Sequence, residues 1–132
     1  MKENLLIDLS LEFSIKIVKV YKELCSDKKE FILSKQLLRS GTSIGANINE
    51  ANYAISKPDF IDKMHIALKE AAETEYWIII LEQSGYIDTN KSDIKNKCLS
   101  LKRFWFHLSI LVKAKFKTTV KNNVVTQKLR KS

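Results

Sequence analysis

Leu37-Leu38-Arg39-Ser40-Gly41-Thr42-Ser43-Ile44-Gly45-Ala46-Asn47-Ile48-Asn49-Glu50-Ala51 carries apolar or small residues at 37, 41, 44, 48, 51 and, just past its end, at Ile55. Alternating steps of four and three mark one face of an α-helix. Two members of that face are glycines, each costing a helix interior about 1 kcal/mol relative to alanine. A helix that accepts this twice, with Ser40, Ser43, Ala46 and Asn47 beside the glycines, does so where another backbone comes close. The stretch therefore reads as a structural seam made of Ser40, Gly41, Ser43, Gly45, Ala46, Asn47 and Glu50. In it, Gly41, Gly45 and Ala46 allow close packing within one chain or between chains. Asn47 and Glu50, three apart on one face, would satisfy polar groups there.

Outward from the seam, the same periodicity divides the chain into four helices. The first fits about residues 8–25, with Leu9, Phe13, Ile17, Val20 and Leu24 at helical spacing. Asp27 followed by Glu30 resembles a capping box, which opens the second helix at about 30 and lets it run to about 54. Ser56-Lys57-Pro58-Asp59 opens the third, because proline is tolerated in a first helical turn; either Ser56 or Lys57 sits at the cap. That helix spans about 57–84 and stops at Gly85. The fourth fits 91–115 through Ile94, Cys98, Leu101, Trp105, Leu108 and Val112. Residues 116–132 have no clear period and form a basic C-terminal tail, expected to fray in the isolated protein. Four long helices with short connections predict an all-α, antiparallel up-down-up-down four-helix bundle over residues 1–115.

Composition agrees with one mostly helical domain: 132 residues contain only three Gly and one Pro. Trp77 to Leu81 is the longest apolar run of note and falls far short of the roughly 20 residues that span a bilayer. The N-terminus lacks the pattern of a secretory signal, so a cytoplasmic location is expected, with no membrane partner. Cys25 and Cys98 have no CxxC partner and read as free thiols in a reducing compartment.

The net charge of +8 is unevenly placed. Lys113, Lys115, Lys117, Lys121, Lys128, Arg130 and Lys131 occur without a single acid after residue 112, and the remaining 16 basic residues face 15 acidic ones. The body is nearly neutral and the C-terminal end carries the basicity. These seven cations, with Lys102 and Arg103 on the fourth helix, are the candidate nucleic-acid-binding residues.

A bundle helix needs one apolar stripe. The third helix has more, because Tyr76 to Leu81 are apolar or aromatic around the whole circumference and Ile61, Leu68, Ala72, Tyr76 and Ile79 form a second stripe. The fourth repeats this at Phe104-Trp105-Phe106. Apolar residues on two faces predict self-association, with Tyr76, Trp77, Ile80, Phe104 and Phe106 as candidate interface residues.

Catalytic and metal-binding patterns are not found. Carboxylate-bridged metal bundles use Glu-x-x-His, and the nearest sequence, Asp62-x-x-His65, occurs once. Glu70 and Glu73 read as a solvated face or as partners of Lys63, Lys69 or Arg39; His107, between Phe106 and Leu108, reads as a packed histidine. Gly41 and Gly45 lie in a helical period with no preceding strand, which excludes a phosphate loop, and Ser40 and Ser43 have no His-Asp set beside them. No enzyme, catalytic residue, metal or cofactor is expected.

Gln36 to Ile48, Glu50-Ala51, Ser56, Asp59-Phe60, Lys63, Ala67 to Ala71, Glu73-Thr74 and Tyr76-Trp77 together closely resemble the bacterial four helix bundle protein family, also called 23S rRNA-intervening sequence proteins. The resemblance covers roughly residues 8–112; many members carry Gly where this chain has Ala51. It implies an antiparallel bundle that assembles as a ring-like homopentamer, and kinship with the accessory proteins of diversity-generating retroelements, basic pentamers that bind nucleic acid and a reverse transcriptase. The expected function is thus a non-enzymatic, oligomeric nucleic-acid-binding module, for RNA above DNA. The alternative is a protein-interaction scaffold, an accessory subunit of an enzyme such as a reverse transcriptase.

Overall fold

The computed structural model describes the backbone of residues 2–131 and the side chains of residues 5–111 and 129. Four helices follow one another: α1 (Lys2–Ser26), α2 (Leu33–Ala51), α3 (Lys57–Gln83) and α4 (Ile94–Lys131). α2 packs on α1 and α3, and α4 packs on α3 and α1, which closes a four-membered ring of helices. Neighbours run antiparallel. Gly41 meets Ile17 while Gly45 meets Ser14 and Ser10; Lys95 meets Glu82 while Cys98 meets the Ala71 carbonyl. The described helices thus form the expected up-down-up-down bundle.

Its core is a column of buried side chains given by all four helices. Leu6, Phe13, Ile17 and Leu24 come from α1; Leu37, Ile44, Ile48 and Ala51 from α2; Met64, Ala67, Ala71, Ile78 and Leu81 from α3; Ile94, Cys98, Leu101 and Leu108 from α4. Each fully buried Leu, Ile or Phe contributes about 1.5–3 kcal/mol, so this column supplies most of the driving force. Polar residues inside it satisfy themselves locally, as when the Thr74 hydroxyl donates to the Glu70 carbonyl at 2.7 Å.

Helix boundaries depart from the periodicity where capping chemistry takes over. α1 starts at Lys2 rather than near 8. α2 starts at Leu33 rather than 30, and no Asp27–Glu30 box forms. Instead Glu30, only 8% exposed, folds its carboxylate over the first turn. It accepts from the N–H groups of Leu33 at 2.9 Å, Ser34 at 2.7 Å and Ile32 at 3.1 Å. Lys29, at a φ of 53°, turns the chain into this cap. Helix N–H groups that lack intrahelical partners, and the positive end of the dipole, favour a carboxylate at this place.

At its other end α2 stops at Ala51 rather than 54, so Ile55 falls outside the apolar face and stands 95% exposed. Ser56 caps α3, its Oγ accepting from the Asp59 N–H at 3.2 Å, and Asp59 reaches back to the Ile55 N–H at 3.3 Å. Gly85, at a φ of 80°, ends α3 in the left-handed conformation that glycine adopts without strain. α4 begins at Ile94 rather than 91, and its helical backbone continues to Lys131, through the segment 116–131 that sequence periodicity placed in a tail. Leu108 is the last buried residue of α4 among those whose side chains are described.

Candidate functional site

The small-residue seam lies inside the chain, between α1 and α2. A Cβ on Gly41 would stand 2.9 Å from Cγ1 and Cγ2 of Ile17, and one on Gly45 would stand 3.1 Å from Ser14 Oγ and 3.2 Å from the Ser10 carbonyl oxygen. The opposing surface is also made of small residues, Ser10 and Ser14, whose hydroxyls donate to carbonyls of their own helix at 2.9 Å. Sequence reading missed this complementary half, because two serines set between apolar residues, Leu9 and Leu11 and then Phe13 and Ile15, carry no apolar signal of their own.

The other seam candidates do different work. Ser40 is buried and donates to the Gln36 carbonyl at 3.0 Å; Ser43 and Asn47 likewise bond carbonyls of their own helix. Ala46 is exposed. Glu50 pairs with Lys63 of α3 at 3.0 Å, so it ties α2 to α3 rather than serving the α1 contact.

Ion pairs occupy several of the body's cations. Arg39 spans to Glu70 at 3.3 Å and to Glu73, and Glu73 also accepts from Trp77 Nε1. Arg39, first, and the indole hold the Glu73 carboxyl below its ordinary range against the opposing effect of desolvation. Lys16 bonds Asp93 at 2.6 Å and lies 3.7 Å from Glu12; Lys95 pairs with Glu82 at 3.0 Å. Lys102 donates to Glu75 at 2.5 Å. That carboxylate offsets the charge of one proposed phosphate contact. Arg103 is exposed, with no ion-pair partner among the described residues. The side chains of Lys113, Lys115, Lys117, Lys121, Lys128, Arg130 and Lys131 lie outside the described residues, although the backbone that carries them is helical as part of α4.

Exposed apolar side chains occur on α1, at Leu11 and Ile15, in the connections on either side of α2, at Phe31, Ile32, Tyr53 and Ile55, and on α3 and α4, and an apolar groove lies between the last two. An open groove of about 330 Å³ is lined by Phe60, Ile61, Met64, His65 and Leu68 of α3 and by Trp105, Phe106, Leu108, Ser109 and Ile110 of α4. Trp105 lies tilted against His65, with ring centres 6.3 Å apart and planes at 54°, and its Nε1 donates to the Met64 carbonyl. Phe106 is 60% exposed at the rim. The five expected interface residues do not form one patch. Phe106 belongs to the groove, whereas Trp77 turns to the α2 side of α3, where it bonds Glu73 and meets Tyr76 edge-on at 5.2 Å. Tyr76 is exposed, and Ile80 and Phe104 are half-buried.

His107 is exposed rather than packed, because its position on α4 turns away from Leu101 and Leu108. Cys25 and Cys98 are free; burial pushes the Cys98 thiol up to about 12, and its Sγ donates to the Ala71 carbonyl at 3.4 Å. Among the described residues no cluster of three or more His, Cys, Asp or Glu could hold a metal. No helix among them is long and apolar enough to cross a membrane.

Comparison with known proteins agrees with this architecture. The model of a family described as 23S rRNA-intervening sequence protein matches residues 2–105. A solved structure from Bacteroides thetaiotaomicron, described as a protein with unknown function from the S23 ribosomal protein family, is 48% identical. The match covers 86% of this chain and 99% of that one, with a TM-score of 0.80. Among curated proteins none matches.

Proposed function

The chain belongs to the 23S rRNA-intervening sequence protein family, and from that premise we propose that it is a non-enzymatic, self-associating bundle whose basic C-terminal helix binds nucleic acid, RNA above DNA. The observation that carries this reading is the placement of charge on the fold. The body holds nearly equal numbers of basic and acidic residues, and five of its cations, Lys16, Arg39, Lys63, Lys95 and Lys102, are engaged with Glu12, Glu50, Glu70, Glu73, Glu75, Glu82 and Asp93. α4 then continues past Leu108, and from Lys113 its sequence holds seven cations and no acid.

A cation that meets a phosphate releases condensed counterions, so such a segment binds nucleic acid without reading sequence. Assembly into a ring, the homopentamer that the family resemblance implies, multiplies the segment by the number of subunits and raises avidity without any new contact. The apolar groove, and separately the exposed Ala72, Tyr76 and Ile79 of α3, support that assembly, since apolar side chains left in water are candidates for a contact between subunits.

A titration of labelled RNA with the full chain tests the reading. Tight binding at low salt that weakens steeply as salt rises supports it; absence of binding at low salt refutes it. A second reading is favoured by the groove alone, which has the shape and apolarity to dock a protein such as a polymerase subunit. Apolar docking survives salt and phosphate contacts do not, so a partner retained at high salt would favour the scaffold.

A further inference from the structure

We infer that the groove between α3 and α4 is filled by the outer face of α1, around Leu11 and Ile15, of a second copy of this chain; the inference rests on the self-association proposed above. Residues of α1 divide among three faces. Ser10, Ser14 and Ile17 meet α2 at its glycines, while Leu9, Phe13 and Lys16 line a cavity with Leu101 of α4. Leu11 and Ile15, four apart and so on one side of the helix, belong to neither set. They are 58% and 62% exposed, which leaves an apolar ridge in water on the outside of α1. Among the described residues α1 does not touch α3, so the ridge cannot enter the groove of its own chain.

Ridge and groove match in height and in charge. Leu6, Met64 and Leu108 line one cavity and so share a level of the bundle. α1 and α3 run parallel, each being antiparallel to α2 between them. Leu11 therefore stands about 7.5 Å above that level, and Leu68 of the groove about 6 Å above it. Copies arranged around an axis along the bundle meet at equal heights, and a contact between two different surfaces then closes a ring. Asp8, three residues before Leu11, is exposed with no ion-pair partner among the described residues, and Glu12 beside it is exposed as well. On the groove side, Lys69 follows Leu68 and Arg103 lies three residues before Phe106, both exposed and also without an ion-pair partner among the described residues. The two acids stand about 3 and 9 Å above the common level and the two cations about 7.5 Å above it, whereas the exposed Lys19 and Asp62 fall outside that span. An acid-flanked ridge thus meets a base-flanked groove, while ridge on ridge or groove on groove would set like charges face to face.

The test mixes two variants of the full chain and reads mass by light scattering, with the helical signal followed alongside. Phe106→Asp spoils the groove and leaves the ridge, while Leu11→Asp with Ile15→Asp spoils the ridge and leaves the groove. Each alone should fall to the 15.3 kDa of one chain. Mixed in equal amounts, at the concentration where the unaltered chain is fully assembled, they should form a species of about twice that mass, because each pair keeps one intact contact between ridge and groove. Either variant assembling alone as the unaltered chain does overturns the inference, and so does the absence of a complex on mixing. If Phe106→Asp loses its helical signal, Arg103→Glu takes its place in the same design. An unaltered chain that is already a monomer refutes the self-association reading and takes the inference with it.

Discussion

Gly41 faces Ile17 so closely that even a methyl group must displace a buried, branched side chain. Alanine there gains about 1 kcal/mol of helix propensity but incurs overpacking of about 1–3 kcal/mol, so Gly41→Ala should be destabilising on balance and Gly41→Leu should prevent folding. Urea denaturation of the alanine variant measures the sign; a stabilised Gly41→Ala would show that the α1–α2 contact yields easily. Glu30 offers a second test at this scale. Desolvation alone would raise its pKa, but the N–H groups of Leu33, Ser34 and Ile32 and the Ser34 hydroxyl outweigh it, and the carboxyl sits below its ordinary value. A depressed folded-state pKa adds stability that is complete above the unfolded-state value near 4.5 and is lost as pH falls through the folded one. Glu30→Gln should therefore cost about 1–2 kcal/mol at neutral pH and flatten the acid limb of the stability curve. An unchanged acid limb would remove Glu30 from that role. Thiol titration gives a third test, because the half-exposed Cys25 should react well before Cys98, whose thiol is buried and pushed up to about 12.

Among the helices, α3 has boundaries that were nearly readable and a surface that was not. Ser56, Pro58 and Gly85 are local signals, each with a mechanical reason to start or stop a helix, and the structure uses all three. Ser56→Ala should lower stability by about 1 kcal/mol through loss of the bond to the Asp59 N–H; a midpoint equal to wild type would mean that Asp59 and Pro58 hold the turn without it. α2 shows where periodicity misleads. Ile55 continues the four-three spacing perfectly, yet the helix has ended four residues earlier because the turn and the next cap claim those backbone groups. Capping by Glu30 escaped the Asp27–Glu30 pattern for a related reason, since a glutamate reaching forward over its own helix has no fixed sequence spacing. The seam was legible from its glycines, but its partner surface depends on which helix lies opposite, and that is a property of the assembled bundle.

Across the whole molecule, the four-helix architecture follows from apolar spacing and short connections, whereas the candidate site depends on which charges the fold neutralises. Lys102 and Arg103 are adjacent in sequence, and only the packing of α4 on α3 pairs the first with Glu75 and leaves the second exposed. Apolar residues of the third and fourth helices likewise divide between two flanks of α3, with the groove on one side and Trp77 on the other. If the groove is the contact between copies, Phe106→Asp should lower the mass found by light scattering while the helical signal persists; an unchanged assembly would move the interface elsewhere. The central claim concerns the basic end of α4, and the dependence of RNA affinity on salt tests it most directly. With wild-type chain, the logarithm of the binding constant should fall steeply and linearly with the logarithm of salt concentration. Replacing Lys113, Lys115, Lys117, Lys121, Lys128, Arg130 and Lys131 by glutamine should lower the affinity and flatten that slope. An identical slope and affinity in the substituted chain would contradict the account.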